Sequence, residues 1–382
     1  MTRKLLLFVC SVSVLFLTSC SSGGLSSIRK DRLVRIGTVP FEGPLLHQKG
    51  QELVGPEARL GNQIAERIRT FIEEEGGSSK IDLKWIDRSY STLVAALKNG
   101  EVDLILGVFG ITEDRKEQVA FSEPYYTSEL VLIINPIHND IRANALDGKN
   151  IGVRQGTAIE QFVQRKFKGS ESVPFKTLDD AVLALKRGGI DAVIEDRYMT
   201  AFSLDTVPGV AHLEPVPGTL GTVDCAVAVT KGEQQLLDVI NEVIAQVKGE
   251  DLYAQWLQEE AGDQLARVEN RQQKRLEAAK PRRVVIRVSK DRNYDFDIYR
   301  MANLRFILTD QDSGETYTSS RINFQSRVGI SSTQVPPGTY KITLPKMNNW
   351  TPGGVTIVGS DPEQVTVNIR LRRGGSVVLS RS

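Results

Sequence analysis

Apolar and polar positions follow two alternating patterns over the first two thirds of the chain. Short apolar runs at 33–39, 81–86 and 102–109 predict buried strands. Between these runs, as in 60–72, apolar side chains recur every three or four residues, which predicts amphipathic helices. Strands that alternate with helices are typical of an α/β fold with parallel strands.

A second alternation of strands and helices, from residue 151 to residue 194, predicts another parallel layer. Extended segments at 130–135 and 226–230 connect the two layers, so the chain crosses between them twice. An amphipathic helix over 236–247 then returns the chain to the first layer. The pattern predicts two lobes joined at a hinge. We place lobe 1 at residues 33–133 and 224–261 and lobe 2 at residues 134–223.

The apolar period changes near Pro281. Residues 262–280 are polar with a helical pattern, and they predict a linker helix that ends at this proline. Beyond it, apolar residues alternate with polar ones, as in 339–344 and 365–371. With Gly and Pro turns between them, about seven short strands are expected. Residues 281–382 therefore predict a small antiparallel β-sandwich.

The first twenty residues have the order of a bacterial export signal. Two basic residues precede an apolar stretch at 5–17 that is too short to span a bilayer. The following Leu-Thr-Ser-Cys resembles a lipobox, whose cysteine is acylated and becomes the new N-terminus. We expect a signal peptide at 1–19, an acylated Cys20, a flexible tether at 20–32 and an extracytoplasmic, membrane-anchored protein. An ordinary signal peptide with an incidental cysteine is the alternative.

Charge is balanced over the whole chain but uneven along it. The 382 residues include 48 Lys and Arg and 47 Asp and Glu, a balance that argues against nucleic-acid binding. Residues 280–382 hold 16 basic and 8 acidic residues, whereas residues 20–279 hold 30 basic and 39 acidic ones. The basic region is expected either to face an anionic envelope surface, such as lipid headgroups or wall polymer, or to dock on the acidic region.

Residues that support catalysis or metal binding are scarce. The three Cys and three His are scattered without ligand spacing. Glu195 and Asp196 suggest an acid–base pair, but neighbours on an extended chain point to opposite faces. Motifs of serine hydrolases, zinc proteases and P-loop proteins do not occur in the sequence. We therefore expect no metal, no cofactor and no enzymatic activity.

Five segments, in a fixed order, resemble those of a known family. They are RIGTVPFEG from Arg35, SYSTLVAALKNGEVDLILG from Ser89, ITEDRKEQVAFSEPYY from Ile111, LDGKNIGVRQGTA from Leu146 and GGIDAVIEDR from Gly188. Over residues 33–260 the chain resembles the family 3 bacterial extracellular solute-binding proteins, the type II periplasmic receptors of polar amino acid ABC transporters. The resemblance implies the two-lobed type II periplasmic binding protein fold. It also implies an amino acid or related small zwitterion as ligand, and an ABC permease as partner.

The resemblance further implies which residues bind the ligand. The family's ITxxR arginine grips the α-carboxylate, and an aspartate at the end of a second-lobe strand accepts the α-ammonium. These positions are Arg115 and Asp196 here. Thr157, in the GVRQGTA turn, would bind the carboxylate, and Thr112 would assist. On spacing alone, Arg115 is expected to be an exposed residue paired with a neighbouring acid, and Asp196 a helix cap.

Two groups of residues bear on which side chain the ligand carries: aromatic residues that would flank it, and positions that differ from the family pattern. Phe41 and Tyr90 occupy positions where the family places aromatic rings around the ligand, although both could instead pack in the lobe core. Gly110 replaces a usual hydroxyl residue and keeps only its backbone for the ligand. Pro56 and Arg59 replace a usual aromatic residue and aspartate. These departures bear on which side chain the ligand carries.

Two other functions remain open at the level of sequence. A periplasmic dehydratase can carry a similar domain, and a sensor or recruiting module can use the receptor fold without a transporter. The sandwich, with VPPGTYKITL from Val335, weakly resembles transthyretin-like carboxypeptidase regulatory and collagen-adhesin B-type modules. That resemblance implies a spacer or adhesive role for residues 281–382.

Overall fold

The computed structural model describes residues 23–39, 43–50, 52–78, 80–137, 145–290, 302, 304–325, 328–344, 353–357, 364–371 and 377–381. The expected signal peptide, Cys20 and Phe41 lie outside the described residues. The chain divides into two compact units, Met1–Val268 and Glu269–Ser382. Among the residues given above, no helix is both long enough and apolar enough to cross a membrane.

Strands and helices alternate in the first unit, as the apolar pattern predicts. Its strands are β1 (Leu33–Thr38), β2 (His47–Lys49), β3 (Glu52–Val54), β4 (Asp82–Asp87), β5 (Leu104–Ile105), β6 (Ala120–Ile134), β7 (Asn150–Arg154), β8 (Glu171–Phe175), β9 (Ala192–Asp196), β10 (Glu214–Pro215) and β11 (Gly221–Val229). Its helices are α1 (Leu25–Asp31), α2 (Pro56–Glu74), α3 (Tyr90–Lys98), α4 (Glu113–Lys116), α5 (Ala158–Lys166), α6 (Leu178–Lys186), α7 (Arg197–Thr206), α8 (Gln234–Gly249) and α9 (Leu252–Ala279), the last of which continues into the second unit.

Helix α2 shows how local sequence sets these elements. Pro56 occupies the first helical turn, where its missing N–H costs nothing. Gly55 precedes it with φ 109°, and a Cβ there would lie 2.5 Å from the Leu45 carbonyl oxygen. Apolar residues at helical spacing then bury one face of the helix against the sheet, namely Leu60, Ile64, Ile68 and Ile72.

A mixed sheet forms the frame of the first unit. Its strand order is β4-β1-β5-β11-β6-β9-β7-β8, and β10 pairs with β6. Strand β1 is parallel to β4 and β5, and β7 is parallel to β8 and β9. Each parallel group is covered by helices that join its strands, as parallel sheets require. The expected two-lobed α/β architecture is confirmed.

Two long antiparallel strands connect the lobes. Strand β6 has 15 residues, and its pairing with β11 runs from Leu130 opposite Gly221 to Ala120 opposite Val229. The end of β11 lies beside β5 in lobe 1, whereas the end of β6 pairs with β9 in lobe 2. Register shifts interrupt the β6–β11 ladder on either side of Ala226. Such irregularities bend strands, and here they fall within the crossing between lobes.

The residues expected to form the tether are partly ordered. Residues 25–31 form α1, in which Leu25 and Ile28 are buried. The Leu25 N–H donates to Glu233 Oε2 at 3.0 Å, and Arg29 forms an ion pair with Glu75. The two apolar residues lie three apart on one helical face, within a Ser-rich and Gly-rich stretch. The expectation of a flexible tether is therefore wrong for these seven residues.

The expected linker helix is the end of a longer helix. Helix α9 has 28 residues, begins at Leu252 and continues through residues 262–279. Its buried side chains include Tyr253, Trp256, Leu257 and Val268. Arg267 also donates to Asp205 of α7 at 2.6 Å. Only residues 262–268 of the expected linker belong to the first unit, and the boundary between units falls inside α9.

The second unit is a β-sandwich. Its strands are β12 (Arg282–Lys290), β13 (Ile307–Asp310), β14 (Thr316–Thr318), β15 (Asn323–Gln325), β16 (Val328–Val335), β17 (Gly338–Thr343), β18 (Gly353–Ile357), β19 (Gln364–Leu371) and β20 (Val377–Arg381). They form sheets in the orders β15-β16-β12-β19-β20 and β14-β13-β17-β18. Apolar residues of both sheets, such as Val284, Ile286, Leu308 and Ile342, share one core.

Two details of the sandwich differ from the sequence expectation. Strand β12 is antiparallel to β16 but parallel to β19, so a purely antiparallel sandwich is wrong. The described residues include nine strands instead of about seven. The period-2 pattern identifies strands and their buried faces, but it carries no information on which strand pairs with which.

Candidate functional site

A cavity lies between the lobes at the carboxyl ends of β7 and β9. The open space along it, which includes solvent at its mouth, amounts to about 320 Å³. Its lining residues are Tyr90, Val108, Gly110, Ser128, Arg154, Thr157, Ala158, Ile159, Glu195, Asp196, Val223 and Cys225. The carboxyl ends of parallel strands are the usual ligand sites of α/β sheets. Side chains from both lobes therefore face one space.

Asp196 ends β9 and caps α7. Its Oδ1 accepts the N–H groups of Tyr198 and Met199 at 2.8 and 3.1 Å. Its Oδ2 accepts the hydroxyls of Tyr126 and Ser128 at 2.6 and 2.7 Å. Burial raises the pKa of Asp196, and the two hydroxyls oppose that rise. The cap considered from the sequence is present, and the same carboxylate forms part of the cavity wall.

Thr157 and Thr112 each begin a helix. Thr157 Oγ1 accepts the Glu160 N–H at 3.1 Å and donates to the Arg154 carbonyl at 2.7 Å, which caps α5. Thr112 Oγ1 accepts the Arg115 N–H at 3.3 Å, which caps α4. The first residues of α5 line the cavity. The positive end of the α5 dipole therefore faces the cavity, where it favours an anion.

Arg115 is buried and connects the lobes. Its Nη1 donates to the Gly110 carbonyl at 2.5 Å, and its Nη2 donates to the Gly156 carbonyl at 2.8 Å. Its guanidinium lies 3.8 Å from the ring centroid of Phe109. Burial lowers the pKa of Arg115 to about 10, so the side chain stays charged at neutral pH. The exposed arginine expected from spacing alone is wrong, because only 6% of the residue is exposed.

Gly110 has no room for a side chain. A Cβ at this position would lie 2.6 Å from Cβ of Ala158 and 2.7 Å from Cγ1 of Val223. Real Cβ atoms do not approach their neighbours so closely. Because Gly110 has no side chain, the loop after β5 can approach the start of α5. The hydroxyl residue that is usual in the family would not fit here.

Arg154 and Glu195 form a buried ion pair that the sequence patterns did not single out. Arg154 Nε lies 2.6 Å from Glu195 Oε2, and Nη2 lies 3.0 Å from Oε1. The side chains are 8% and 1% exposed. The parallel register of β7 and β9, with Gly152 opposite Val193, brings Arg154 beside Glu195 two residues later. The sequence signal that could have predicted this pair is a charged residue at the end of each of two buried strands.

Glu195 and Asp196, the adjacent carboxylates noted in the sequence, are the last two residues of β9. Both line the cavity. Each carboxylate is nevertheless held by protein donors, Glu195 by Arg154 and Asp196 by the α7 cap.

A partition separates this cavity from a second one. Tyr90, Val108 and Arg154 border both cavities. The guanidinium of Arg154 lies 5.5 Å from the Tyr90 ring centroid, and the Tyr90 hydroxyl donates to the Gly107 carbonyl at 3.3 Å. Val108 has φ 51°, a strained value for a β-branched residue. Strained backbone of this kind often lies at binding sites.

The second cavity contains a buried carboxyl, Glu57, which the sequence patterns also missed. The Tyr253 hydroxyl donates to it at 2.5 Å, and the Tyr125 hydroxyl lies 3.0 Å from each of its oxygens. The Val108 N–H donates to the same Tyr125 hydroxyl at 3.1 Å. Burial raises the pKa of Glu57 to about 7. Glu57 thus supports the strained residue of the partition through Tyr125.

Comparison with known families is consistent with this geometry. Residues 34–259 match the model of the bacterial extracellular solute-binding proteins, family 3. The chain belongs to this family. The match covers both lobes, and it confirms the resemblance found in the sequence. Because the family and the relatives below are solute-binding proteins, the expectation of a binding protein instead of an enzyme is also confirmed.

Relatives in this solute-binding family bind basic amino acids according to their names. A probable histidine-binding protein of Campylobacter jejuni subsp. jejuni is 26% identical over 265 residues, which cover 66% of this chain and 96% of the relative. The arginine-binding extracellular protein ArtP of Bacillus subtilis is 30% identical over 205 residues, which cover 51% and 74%.

A solved family structure shares the fold. An arginine-bound mutant of ArgBP from T. maritima aligns with a TM-score of 0.51 and 28% identity, covering 59% of this chain and 100% of that one. The family match itself ends at residue 259, before the sandwich. The type II periplasmic binding protein fold of the two lobes is therefore confirmed.

Within this family fold, the residues assigned by resemblance are only partly together. Four of them line the cavity, namely Tyr90, Gly110, Thr157 and Asp196. Arg115 and Thr112 lie next to it in the segment that follows Gly110, and neither is a lining residue. Phe41 and Cys20 lie outside the described residues.

Proposed function

We propose that this protein is an extracytoplasmic receptor for a free amino acid or a related small zwitterion. One observation carries the proposal: the Asp196 carboxylate and the positive end of α5 face the same interlobe cavity. A zwitterion needs an acceptor for its ammonium group and a donor set for its carboxylate. Tyr90 and Gly110 of the opposite lobe close this space.

The roles of individual residues follow from their positions. The ligand's ammonium group binds Asp196, whose hydroxyl partners Tyr126 and Ser128 can also accept a hydrogen bond. The ligand's carboxylate binds at Thr157 and the first N–H groups of α5. Arg115 adds positive charge there through its contact with the Gly156 carbonyl, and Thr112 holds the helix that carries Arg115. Tyr90, which lines the cavity, flanks the ligand's aliphatic part, and the family resemblance assigns the same role to Phe41.

Binding is coupled to closure of the lobes, and the closed receptor delivers its ligand to an ABC permease. The β6–β11 crossing supports this motion because its pairing is irregular beside Ala226, and such irregularities let strands bend. Arg115 supports it as well, since it donates to both lobes.

Anchoring of the receptor is proposed through acylation of Cys20, on the strength of the lipobox resemblance. Two or more acyl chains suffice for stable attachment to a bilayer. Cys20→Ser should release the protein from washed membranes into the soluble fraction, whereas Cys225→Ser should leave it in the membranes. Retention of the Cys20 variant would contradict the anchor.

The sandwich is proposed to contact an anionic envelope surface, such as lipid headgroups or wall polymer. Its excess of basic residues supports this role, as does its weak resemblance to transthyretin-like, carboxypeptidase regulatory-like and collagen-adhesin B-type modules. Salt should weaken an electrostatic attachment because it screens the attraction between opposite charges. Sedimentation with anionic vesicles or peptidoglycan at low and high salt tests this, and attachment insensitive to salt would contradict it.

Titration calorimetry with free amino acids tests the receptor itself. The full chain should bind at least one L-amino acid, and it should not bind the matching amine that lacks the carboxylate. Asp196→Asn should weaken binding by at least about tenfold, because a buried ammonium loses its charged partner. Asp238→Asn, an exposed position on α8, is the matched control. Failure of every amino acid to bind would exclude the proposal.

A further inference from the structure

The first cavity already contains a cation bound at its acidic wall. The Arg154 guanidinium occupies both oxygens of Glu195, and Glu195 Oε1 also accepts the Asp196 N–H at 2.9 Å. Three donors thus engage Glu195, which leaves this carboxylate little capacity to accept a second guanidinium.

The same guanidinium also faces an aromatic ring of the other lobe. Arg154 belongs to lobe 2, and it lies 5.5 Å from the Tyr90 ring centroid in lobe 1. A carboxylate on one side and an aromatic face on the other form an environment that suits a planar cation. Arg154 therefore fills, from within the protein, a position suited to a cationic ligand side chain.

Arg154 also limits the length of the ligand. Together with Tyr90 and Val108 it forms the partition between the first cavity and the Glu57 cavity. A long side chain that starts at Asp196 would have to displace the Arg154–Glu195 pair to pass the partition. Breaking such a pair is costly because it leaves a buried charge without its partner.

We propose that Arg154 is a specificity-determining residue that makes this receptor select amino acids with short, uncharged side chains and reject arginine. The inference rests on the proposed receptor function and narrows its ligand. A ligand guanidinium would be buried next to that of Arg154, and such like-charge contacts are unfavourable. The ligand class therefore differs from the basic amino acids in the names of the relatives.

Calorimetry with L-alanine, L-serine and L-arginine on the full chain tests the proposal. The wild type should bind L-alanine or L-serine at least about 100-fold more tightly than L-arginine. Arg154→Ala frees Glu195 and the space over Tyr90, so L-arginine should gain at least about tenfold in affinity by supplying the missing guanidinium. Arg154→Ala/Glu195→Gln, which has no acid to pair with the ligand, should lose this gain.

The outcomes distinguish failure of the proposed selectivity from failure of the proposed receptor function. If the wild type binds L-arginine as tightly as the short amino acids, Arg154 does not select, while the receptor function stands. If the wild type binds no amino acid, the receptor function itself fails. The wild-type titrations distinguish these two outcomes even where Arg154→Ala does not fold. If L-arginine also binds more tightly to Arg154→Ala/Glu195→Gln than to the wild type, the role of Arg154 in specificity is wrong.

Discussion

The two interlobe cavities share a partition but hold their buried carboxyl groups differently. In the first, Glu195 is paired with a guanidinium and Asp196 accepts four hydrogen bonds. In the second, the hydrogen-bond partners of Glu57 are tyrosine hydroxyls, and burial raises its pKa to about 7. Burial raises the pKa of Asp196 as well, against the pull of its hydroxyl donors. The two cavities therefore differ in the donors that hold their acids: a guanidinium and four hydrogen bonds in the first, and the hydroxyls of two tyrosines in the second.

The largest expected effect comes from removing the cation of the first cavity. Arg154→Met leaves Glu195 buried without a charged partner, so the free energy of unfolding of the first unit should fall by about 3–5 kcal/mol. Arg154→Met/Glu195→Met removes both charges and should recover most of the loss. Urea unfolding followed by circular dichroism measures both. A double variant as unstable as the single one would mean that packing, not charge, holds this wall.

Removal of Arg115 should weaken binding of the ligand in the first cavity. Arg115→Ala should weaken amino acid binding by on the order of 2–5 kcal/mol, because the ligand's carboxylate loses a buried positive charge. Calorimetry measures it, with Arg88→Ala as the control, since Arg88 pairs with Glu101 at the surface. An unchanged affinity for the Arg115 variant would remove this residue from the site.

Glu57 should make stability fall as the pH rises. A carboxyl whose pKa is higher in the folded protein contributes stability that is present below the ordinary value of 4.5 and is lost as the pH passes about 7. The loss should reach about 3 kcal/mol, and Glu57→Gln should abolish it. Unfolding at pH 4.5, 6 and 8 measures the slope. Glu73→Gln, an exposed position on the same helix, should keep the wild-type slope.

The smallest effect separates a helix cap from a ligand contact. Thr157→Ala and Thr177→Ala each remove a hydroxyl that caps a nine-residue helix, α5 and α6 respectively. Each should lower stability by about 1 kcal/mol. Only the first cap lies in the cavity lining, so only Thr157→Ala should also weaken amino acid binding. Equal affinities in the two variants would assign Thr157 to the cap alone.

Part of the site could be predicted from the sequence because its residues follow from the local pattern of strands and helices. Asp196 and Thr157 stand at strand ends and helix starts, where the apolar pattern stops, and family motifs mark both positions. Arg154 and Glu57 escaped because each depends on a partner distant along the chain. Glu195 lies 41 residues from Arg154, and Tyr253 lies 196 residues from Glu57.

The sequence by itself determined the alternation of strands and helices, the change of period at Pro281 and the family, because each is written in local spacing of apolar residues and motifs. Only the tertiary structure decided that residues 25–31 pack as a helix, that β12 and β19 are parallel, and that a guanidinium fills the acidic wall of the cavity. Those outcomes depend on which distant surfaces meet. Burial then changes the free energy of each charge and apolar side chain, and no local pattern contains that information.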